Sequence, residues 1–349
     1  MTFEEARALF PALERVAYLN AGSMGPLAIP TAETMRVELQ RQLEEGRGGL
    51  PFFERMLDLR AQVREQLAAL LGVGPENLAL TTSTTESCNI VLSGLDLGPE
   101  DEIVTSDSEH FGLLGALHAS GASIRVAPAG GIVDAVTDRT RLVAISHVSW
   151  VTGNSLDPAR VKEQTGLPIL VDGAQSVGAV PVDASPFDFY TVSCQKWLCG
   201  PDATGGLYVR DSDALRIAWP SYFSQETHEP DGTFQPWPTA ARFDPAWIPP
   251  ASLAGLLAAL GVAPEWRYDR IAELAAACQE RLAERFDVVT GPGQGGLVSF
   301  RPGEDPAEVS ARLYDAGVIV RFLPGTDLVR VSCGWWNSED DLERLLAAL

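Results

Sequence analysis

The chain has 349 residues, enough for about two domains with cores of ordinary size, and a formal net charge of −21 at pH 7. This acidic surplus argues against a nucleic-acid partner, which requires a basic surface, and no apolar run is long enough to span a membrane. The acidic first ten residues do not resemble a signal peptide, and five scattered cysteines without C-x-x-C spacing predict reduced thiols, no metal site and a cytoplasmic location.

Strand and helix patterns alternate through the first 210 residues. Apolar residues over 53–71 recur at helical spacing, and Gly72 follows them as an end signal. A helix is also predicted to open at 84–86. Short apolar runs predict strands at 78–82, 102–105, 123–127, 142–146, 169–172, 188–192 and 206–209. This alternation is typical of a mostly parallel sheet covered by helices on both faces.

The pattern changes after residue 218. Residues 219–250 are rich in Pro, Trp and Phe, and this length favours a functional or interfacial segment over a plain connection. An Ala- and Leu-rich stretch predicts helix over 252–286. The tail alternates again, with strands predicted at 296–300, 318–322 and 328–332 and helices at 306–316 and 338–346. We therefore predict a large domain over 16–250 and a small C-terminal α/β domain over 251–349, with residues 1–15 packed nearby.

Residues 169–209 carry the most informative pattern. Asp172 ends one predicted strand, and Lys196 follows the next strand 24 positions later. The carboxyl ends of parallel strands meet at one edge of a sheet, where such sheets bind ligands. A single Asp is often a turn cap and a single Lys is often a surface charge. The two together favour a functional site.

The motif D-G-A-Q-S followed by S-x-x-K resembles pyridoxal 5′-phosphate (PLP) enzymes of fold type I, specifically the class V aminotransferase and cysteine desulfurase superfamily. The resemblance extends over about residues 18–345. It implies an α/β fold with a mostly parallel seven-stranded sheet in the large domain and a small C-terminal α/β domain. It also implies PLP as cofactor, a small amino-acid substrate and a homodimer with active sites at the interface.

PLP chemistry requires an amine that binds the cofactor aldehyde and moves the substrate proton, and a carboxylate that keeps the pyridine nitrogen protonated. By resemblance, Lys196 is the amine and Asp172 the carboxylate. Gln175 would hydrogen-bond the phenolic oxygen of the ring. His110, in the sequence SEHF after a predicted strand, would stack on the ring as a third catalytic residue.

Hydroxyl residues precede the helix that opens at 84. Ser83, Thr84 and Thr85 stand where the family has its phosphate cup, at a strand end followed by a helix start, where N–H groups converge. Ser193 and Gln195 would add donors from the other side, with Gln195 in place of a histidine that most relatives carry. Read alone, such a cluster is also an ordinary helix N-cap.

Three residues are predicted on the substrate side. The sequence VRVSC followed by NSED resembles the C-terminal element in which Arg330 binds the substrate carboxylate, although an ion pair with Asp or Glu is the structural alternative. Asn20, in LNAG, resembles the N-terminal substrate-side loop. Trp150, in HVSWVTG, resembles the cystine C–S lyase and isopenicillin-epimerase-like branch. It would shape a side-chain pocket, or be a core aromatic.

One further element departs from the family pattern. The sequence ARFD at 241–244 resembles an element whose threonine contacts the phosphate of the neighbouring subunit. Here Ala246 and Trp247 stand where Gly-Thr would be. That departure puts the cross-subunit contact in doubt.

The sequence motifs indicate the cofactor more directly than they indicate the reaction. Desulfurases that carry sulfur on their own thiol need a mobile cysteine before the carboxylate arginine, and residues 291–306 contain none. We expect C–S β-elimination from cystine, cysteine or a cysteine conjugate. A class V aminotransferase is the alternative, since both reactions begin with proton removal by Lys196. A non-catalytic relative would lack Lys196 or Asp172, and both are present.

Overall fold

The structure is a computed structural model that describes residues 1–245 and 247–349. The α-helices of these residues are α1 (Phe3–Arg7), α2 (Ile29–Glu45), α3 (Leu50–Leu71), α4 (Thr84–Leu95), α5 (Phe111–Ala119), α6 (Pro158–Thr165), α7 (Pro250–Val262), α8 (Arg267–Ala283), α9 (Pro306–Asp315) and α10 (Glu339–Ala348). The strands are β1 (Ala17–Tyr18), β2 (Leu78–Thr81), β3 (Glu102–Ser106), β4 (Ser123–Ala127), β5 (Thr140–Ser146), β6 (Ile169–Asp172), β7 (Phe189–Ser193), β8 (Gly205–Val209), β9 (Gln225–His228), β10 (Phe234–Pro236), β11 (Asp287–Val288), β12 (Leu297–Arg301), β13 (Val318–Ile319), β14 (Arg321–Phe322) and β15 (Val329–Ser332).

The predicted seven-stranded sheet is confirmed. Its order is β2-β8-β7-β6-β5-β3-β4, and β8 alone runs against its two neighbours among the described strands. Strands β2, β3, β6 and β7 are buried along their whole length, as expected where helices cover both faces. Because β2, β3, β5, β6 and β7 are parallel to one another, their carboxyl ends share one edge.

A second sheet carries the C-terminal part of the chain. It is antiparallel, with the order β11-β12-β15-β14, and its core includes residues of α8, α9 and α10. Strand β1 pairs with β13, and Arg7 of α1 forms an ion pair with Asp341 of α10 at 2.8 Å. The N-terminal segment therefore packs on the small sheet.

Three predicted elements differ from the structure. The helix predicted over 252–286 is two helices, α7 and α8, because Pro264 lies in the break and proline cannot continue a helix. The strand predicted over 318–322 divides into β13 and β14, which pair with different strands. The segment 219–250 contains the antiparallel pair β9 and β10.

Helix α7 packs closely on α2. Its Leu253 and Leu256 belong to the hydrophobic core beneath the seven-stranded sheet. The domain boundary at residues 250 and 251 stays a prediction. Within the described residues, the helices lack the combination of length and apolarity that a bilayer span needs.

Candidate active site

A pocket of ≈ 160 Å³ opens at the carboxyl edge of the seven-stranded sheet. Ten of the twelve predicted site residues line it: Ser83, Thr84, Thr85, His110, Trp150, Asp172, Gln175, Ser193, Gln195 and Lys196. Ser146, Val148 and Ala174 complete the wall. The residues come from the carboxyl ends of β5, β6 and β7 and from the segments that follow β2, β3, β5, β6 and β7. The parallel topology therefore gathers groups that are more than a hundred positions apart in the chain.

Asp172 is the last residue of β6. Its Oδ1 accepts hydrogen bonds from the Ala174 N–H at 2.9 Å and the Thr191 hydroxyl at 3.3 Å. Its Oδ2 has no hydrogen-bond partner in the described part of the chain, although the residue is buried. One carboxylate oxygen is thus fixed by the protein and the other is available to a donor in the pocket.

Lys196 lies in the turn that follows β7. The turn is closed by the Cys199 N–H, which donates to the Lys196 carbonyl at 3.0 Å, and Cys199 adopts a left-handed backbone with φ +53. Burial lowers the pKa of Lys196 to about 8; Asp172 opposes this shift, and Arg330 and Arg321 add to it. A larger fraction of the amine is therefore neutral near physiological pH than for an ordinary lysine.

His110 is the N-cap of α5, and its ring Nδ1 accepts the Gly112 N–H at 3.0 Å. Burial lowers the pKa of His110, and the charge of Lys196 adds to this shift. Because Nδ1 accepts this hydrogen bond, the neutral ring carries its proton on Nε2. Trp150 meets it edge-on, with ring centroids 5.0 Å apart, and the Trp150 indole N–H is buried without a partner in the described residues. Trp150 is thus a wall of the pocket.

The first turn of α4 forms the part of the pocket where the sequence predicts the phosphate. Ser83 is the N-cap, and its Oγ accepts the Glu86 N–H at 3.1 Å. The N-cap alternative is therefore correct, and it is compatible with a phosphate cup. The N–H groups of Thr84 and Thr85 have no intrahelical acceptors at these positions and lie at the positive end of the helix dipole.

Ser193, the last residue of β7, and Gln195, in the turn after it, also line the pocket. The Ser193 hydroxyl donates to Gln195 Oε1 at 2.9 Å. The two N–H groups of the Gln195 amide therefore remain without acceptors in the described residues. They are the donors that the sequence predicts for the phosphate.

Arg330 and Asn20 lie beside the pocket. Arg330 is 1 % exposed; its Nη1 donates to the Trp150 carbonyl at 2.9 Å, and its Nε has no partner in the described chain. Asn20 forms a β-bridge with Ser332, and Asn20 Oδ1 and Ser332 Oγ are also unpartnered there. The predicted alternative, an ion pair at Arg330, is absent from the described residues.

A second arginine, Arg321, was missed by the sequence analysis. Strands β14 and β15 place it directly opposite Arg330. Both guanidinium groups donate to the Ser23 hydroxyl, at 3.3 Å from Arg321 and 3.4 Å from Arg330. Burial, and then the charge of Arg321, lower the pKa of Arg330 to about 9. Like charges directly opposite on neighbouring strands are destabilising, so an anionic ligand would relieve this pair.

Glu109 is a second residue that the sequence analysis quoted but did not select. Its buried carboxylate accepts hydrogen bonds from the Ser106 hydroxyl at 2.5 Å, from the Ser146 hydroxyl, and from the Ser146 N–H at 3.0 Å. Burial raises its pKa to about 7, against these hydrogen bonds. Glu109 therefore links the carboxyl ends of β3 and β5.

The donors and acceptors of the pocket fit PLP. A free carboxylate oxygen, a partly neutral amine and unpartnered N–H groups at a helix N-terminus match the ring nitrogen, aldehyde and phosphate of that cofactor. Other pockets are larger, ≈ 390 and ≈ 410 Å³, but no lysine lines them. The fold and this pocket together define a PLP-dependent enzyme of fold type I.

The chain belongs to the aminotransferase class-V family, whose sequence profile matches residues 32–345. It is 33% identical to the isopenicillin N epimerase of Amycolatopsis lactamdurans over 96% of this chain and 94% of that protein. It is 32% identical to the cysteine desulfurase of Haloferax volcanii over 82% of this chain and 77% of that protein.

Solved structures are similar over nearly the whole chain. A complex of the cystine C–S lyase C-DES with its reaction product cysteine persulfide has a TM-score of 0.89 and 29% identity, covering 97% of this chain and 98% of that chain. A mutant of C-DES with glycine covalently linked to its PLP cofactor has a TM-score of 0.91 and 29% identity, covering 98% of both chains. The cysteine desulfurase CsdA of Escherichia coli, at 23% identity, shares the fold, with a TM-score of 0.86 over 100% of this chain and 97% of that chain.

Proposed function

We propose that the protein is a PLP-dependent C–S lyase that acts on a small sulfur-containing L-amino acid with two carboxylates, such as L-cystine. The observation that carries this proposal is the pair of arginines at Ser23. Arg330 is suited to the α-carboxylate, and Arg321 would take a second carboxylate at the other end of the substrate. The likeness to C-DES, a cystine C–S lyase, supports the same substrate class.

The cysteines support a lyase over a desulfurase that carries sulfur on its own thiol. All five cysteine side chains are buried. Burial raises the pKa of Cys88, Cys194 and Cys199, which suppresses the thiolate form that sulfur transfer requires. The sulfur would therefore leave with the product as cysteine persulfide, alongside pyruvate and ammonia from the other half of cystine.

Bound PLP supplies an electron sink that eases loss of the substrate Cα proton. Asp172 Oδ2 would hold the proton at the ring nitrogen, and Lys196 Nζ would take the Cα proton as a base. Arg330 orients the carboxylate so that the Cα–H bond faces Lys196. His110 covers the pocket and excludes water from the reacting atoms.

Epimerisation at Cα is a second candidate, because isopenicillin N epimerases are 33% and 30% identical to this chain over almost its full length. An epimerase returns the proton to the opposite face, while a lyase expels the group on Cβ. An aminotransferase returns it to the cofactor. All three use the proton transfer that we assign to Lys196.

The deciding experiment measures pyruvate released from L-cystine by the PLP-loaded protein without a 2-oxo acid. We expect many turnovers, and none in Lys196→Ala. Accumulation of D-amino acid without pyruvate would establish an epimerase. At most one equivalent of product, with turnover restored by a 2-oxo acid, would establish an aminotransferase.

We also propose that the protein is a homodimer whose active sites lie near the interface. Segment 219–250 exposes Trp219, Tyr222 and Trp247 at 59%, 55% and 53%, a large apolar surface for a monomer. Ala246, whose replacement of glycine bears on the cross-subunit phosphate contact, lies outside the described residues. Light scattering should give twice the chain mass of 37.4 kDa; a fully active monomer would refute the proposal.

A further inference from the structure

The side-chain amide of Gln175 is held at both ends inside the protein. Its Oε1 accepts the indole N–H of Trp197 at 3.1 Å, and its Nε2 donates to the Gly22 carbonyl at 2.9 Å. Both contacts are buried, and Gln175 is 5% exposed. The amide therefore bridges the turn that carries Lys196 and the N-terminal loop that carries Ser23.

These two partners determine which way the amide points. An indole N–H only donates and a backbone carbonyl only accepts, so the reversed amide would place two donors together and two acceptors together. In the observed orientation, one N–H of Nε2 donates to the Gly22 carbonyl oxygen. The second N–H has no acceptor in the described residues, and Gln175 lines the pocket. The second N–H is therefore available to a ligand there.

Trp197 is itself firmly held. It follows Lys196 directly, is 1% exposed and belongs to a core cluster formed by both parts of the molecule. A Cβ atom added at Gly296 would lie 2.7 Å from two atoms of its indole ring, and one added at Gly178 would lie 3.1 Å from its Cβ. The two glycines leave room for this large side chain, whose position is set by dense packing.

We propose that Trp197 is a positioning residue: its indole N–H holds the Gln175 amide so that an N–H donor faces the phenolic oxygen of PLP. This inference rests on the cofactor contact proposed for Gln175. A hydrogen bond to the ionised form of an acid favours that form. Loss of the indole N–H would therefore weaken cofactor binding and shift the titration of the bound chromophore.

The test compares Trp197→Phe, which keeps an aromatic ring, with wild type. The matched control is Trp266→Phe, which also removes one indole hydrogen bond, to the Met1 carbonyl at 3.0 Å, outside the pocket. We expect Trp197→Phe to raise the Kd for PLP about tenfold and to raise the pH midpoint of the visible absorption change. Trp266→Phe should change neither. Equal Kd values and midpoints in Trp197→Phe and wild type would overturn the inference.

A double-mutant cycle separates positioning from general loss of packing. In a Gln175→Leu background, Trp197→Phe should cause little further increase in the Kd for PLP, because the indole acts through the Gln175 amide. Additive effects of the two substitutions on the Kd would refute the positioning role of Trp197. If Trp197→Phe does not fold, indole ¹⁵N–¹H spectra of wild type and Gln175→Leu replace it. One of the eight tryptophan signals should move strongly, and eight unmoved signals would overturn the inference. If the wild-type protein binds PLP but forms no pyruvate from L-cystine, the proposed C–S lyase function fails and the inference about Trp197 is unaffected.

Discussion

Replacing Arg321 with methionine tests the proposed substrate class most directly. The variant keeps an unbranched side chain and removes the charge opposite Arg330. Charge-assisted hydrogen bonds contribute about 1.5–3 kcal/mol when buried, and Arg321 is only half-buried, so we expect the lower part of this range. The value of kcat/KM for L-cystine should fall about 10- to 30-fold, since each 1.4 kcal/mol is tenfold.

The informative quantity is a ratio of substrates. Arg321 also contributes to the lowered pKa of Lys196, so its removal changes the base for every substrate. S-methyl-L-cysteine has no second carboxylate, so its kcat/KM should change only through the altered pKa of Lys196. We therefore expect the ratio of kcat/KM for cystine over S-methylcysteine to fall about tenfold or more.

Two further variants serve as controls. Arg330→Met should lower kcat/KM for both substrates, because each has an α-carboxylate. Arg312→Met removes an exposed arginine paired with Glu304 in the small domain and should leave the ratio unchanged. If Arg321→Met lowers kcat/KM equally for both substrates, Arg321 does not bind a second carboxylate, and the argument for a dicarboxylic substrate fails.

Three other predictions follow from the geometry. The rate at which the apoprotein binds PLP should increase with pH and level off above about 8, the lowered pKa of Lys196, because only the neutral amine reacts with the cofactor. Stopped-flow absorbance measures this rate. A rate that levels off only above pH 10 would contradict the prediction. Gly22→Ala should raise KM several-fold in steady-state kinetics, because its Cβ would lie 2.8 Å from Arg330 Nη2. Gly130→Ala, which has open space, is the control. The pKa of Glu109 is raised in the folded protein to about 7. Its contribution to stability is therefore present below the unfolded pKa of about 4.3 and is lost as pH rises to about 7. Calorimetry should show that the Tm of wild type, relative to that of Glu109→Gln, decreases over this pH range.

Local pattern was sufficient to predict most of the large domain. Buried parallel strands are typically continuous apolar runs, and the buried strand β6 was predicted at its observed ends. The edge strand β4, which is largely half-buried or exposed, was also predicted at its observed ends. Because the carboxyl ends of parallel strands must meet at one edge, the sequence predicts that Asp172 and Lys196 lie close together. Helix α2 is not among the elements that the sequence pattern predicts, and Pro264 is the sequence signal of the break before α8.

The arrangement of the substrate side depended on contacts that local sequence does not encode. Arg321 lies in a two-residue strand without a recognisable pattern, and only the register of β14 on β15 places it opposite Arg330. Likewise, Gln175 and Trp197 are 22 positions apart, and their hydrogen bond exists because the turns after β6 and β7 lie side by side. The sequence alone determined the cofactor, since its motifs at the ends of two strands resemble those of a known family of PLP enzymes. The tertiary structure decided which carboxylates and donors the pocket can satisfy, since that depends on distances between segments remote in the chain.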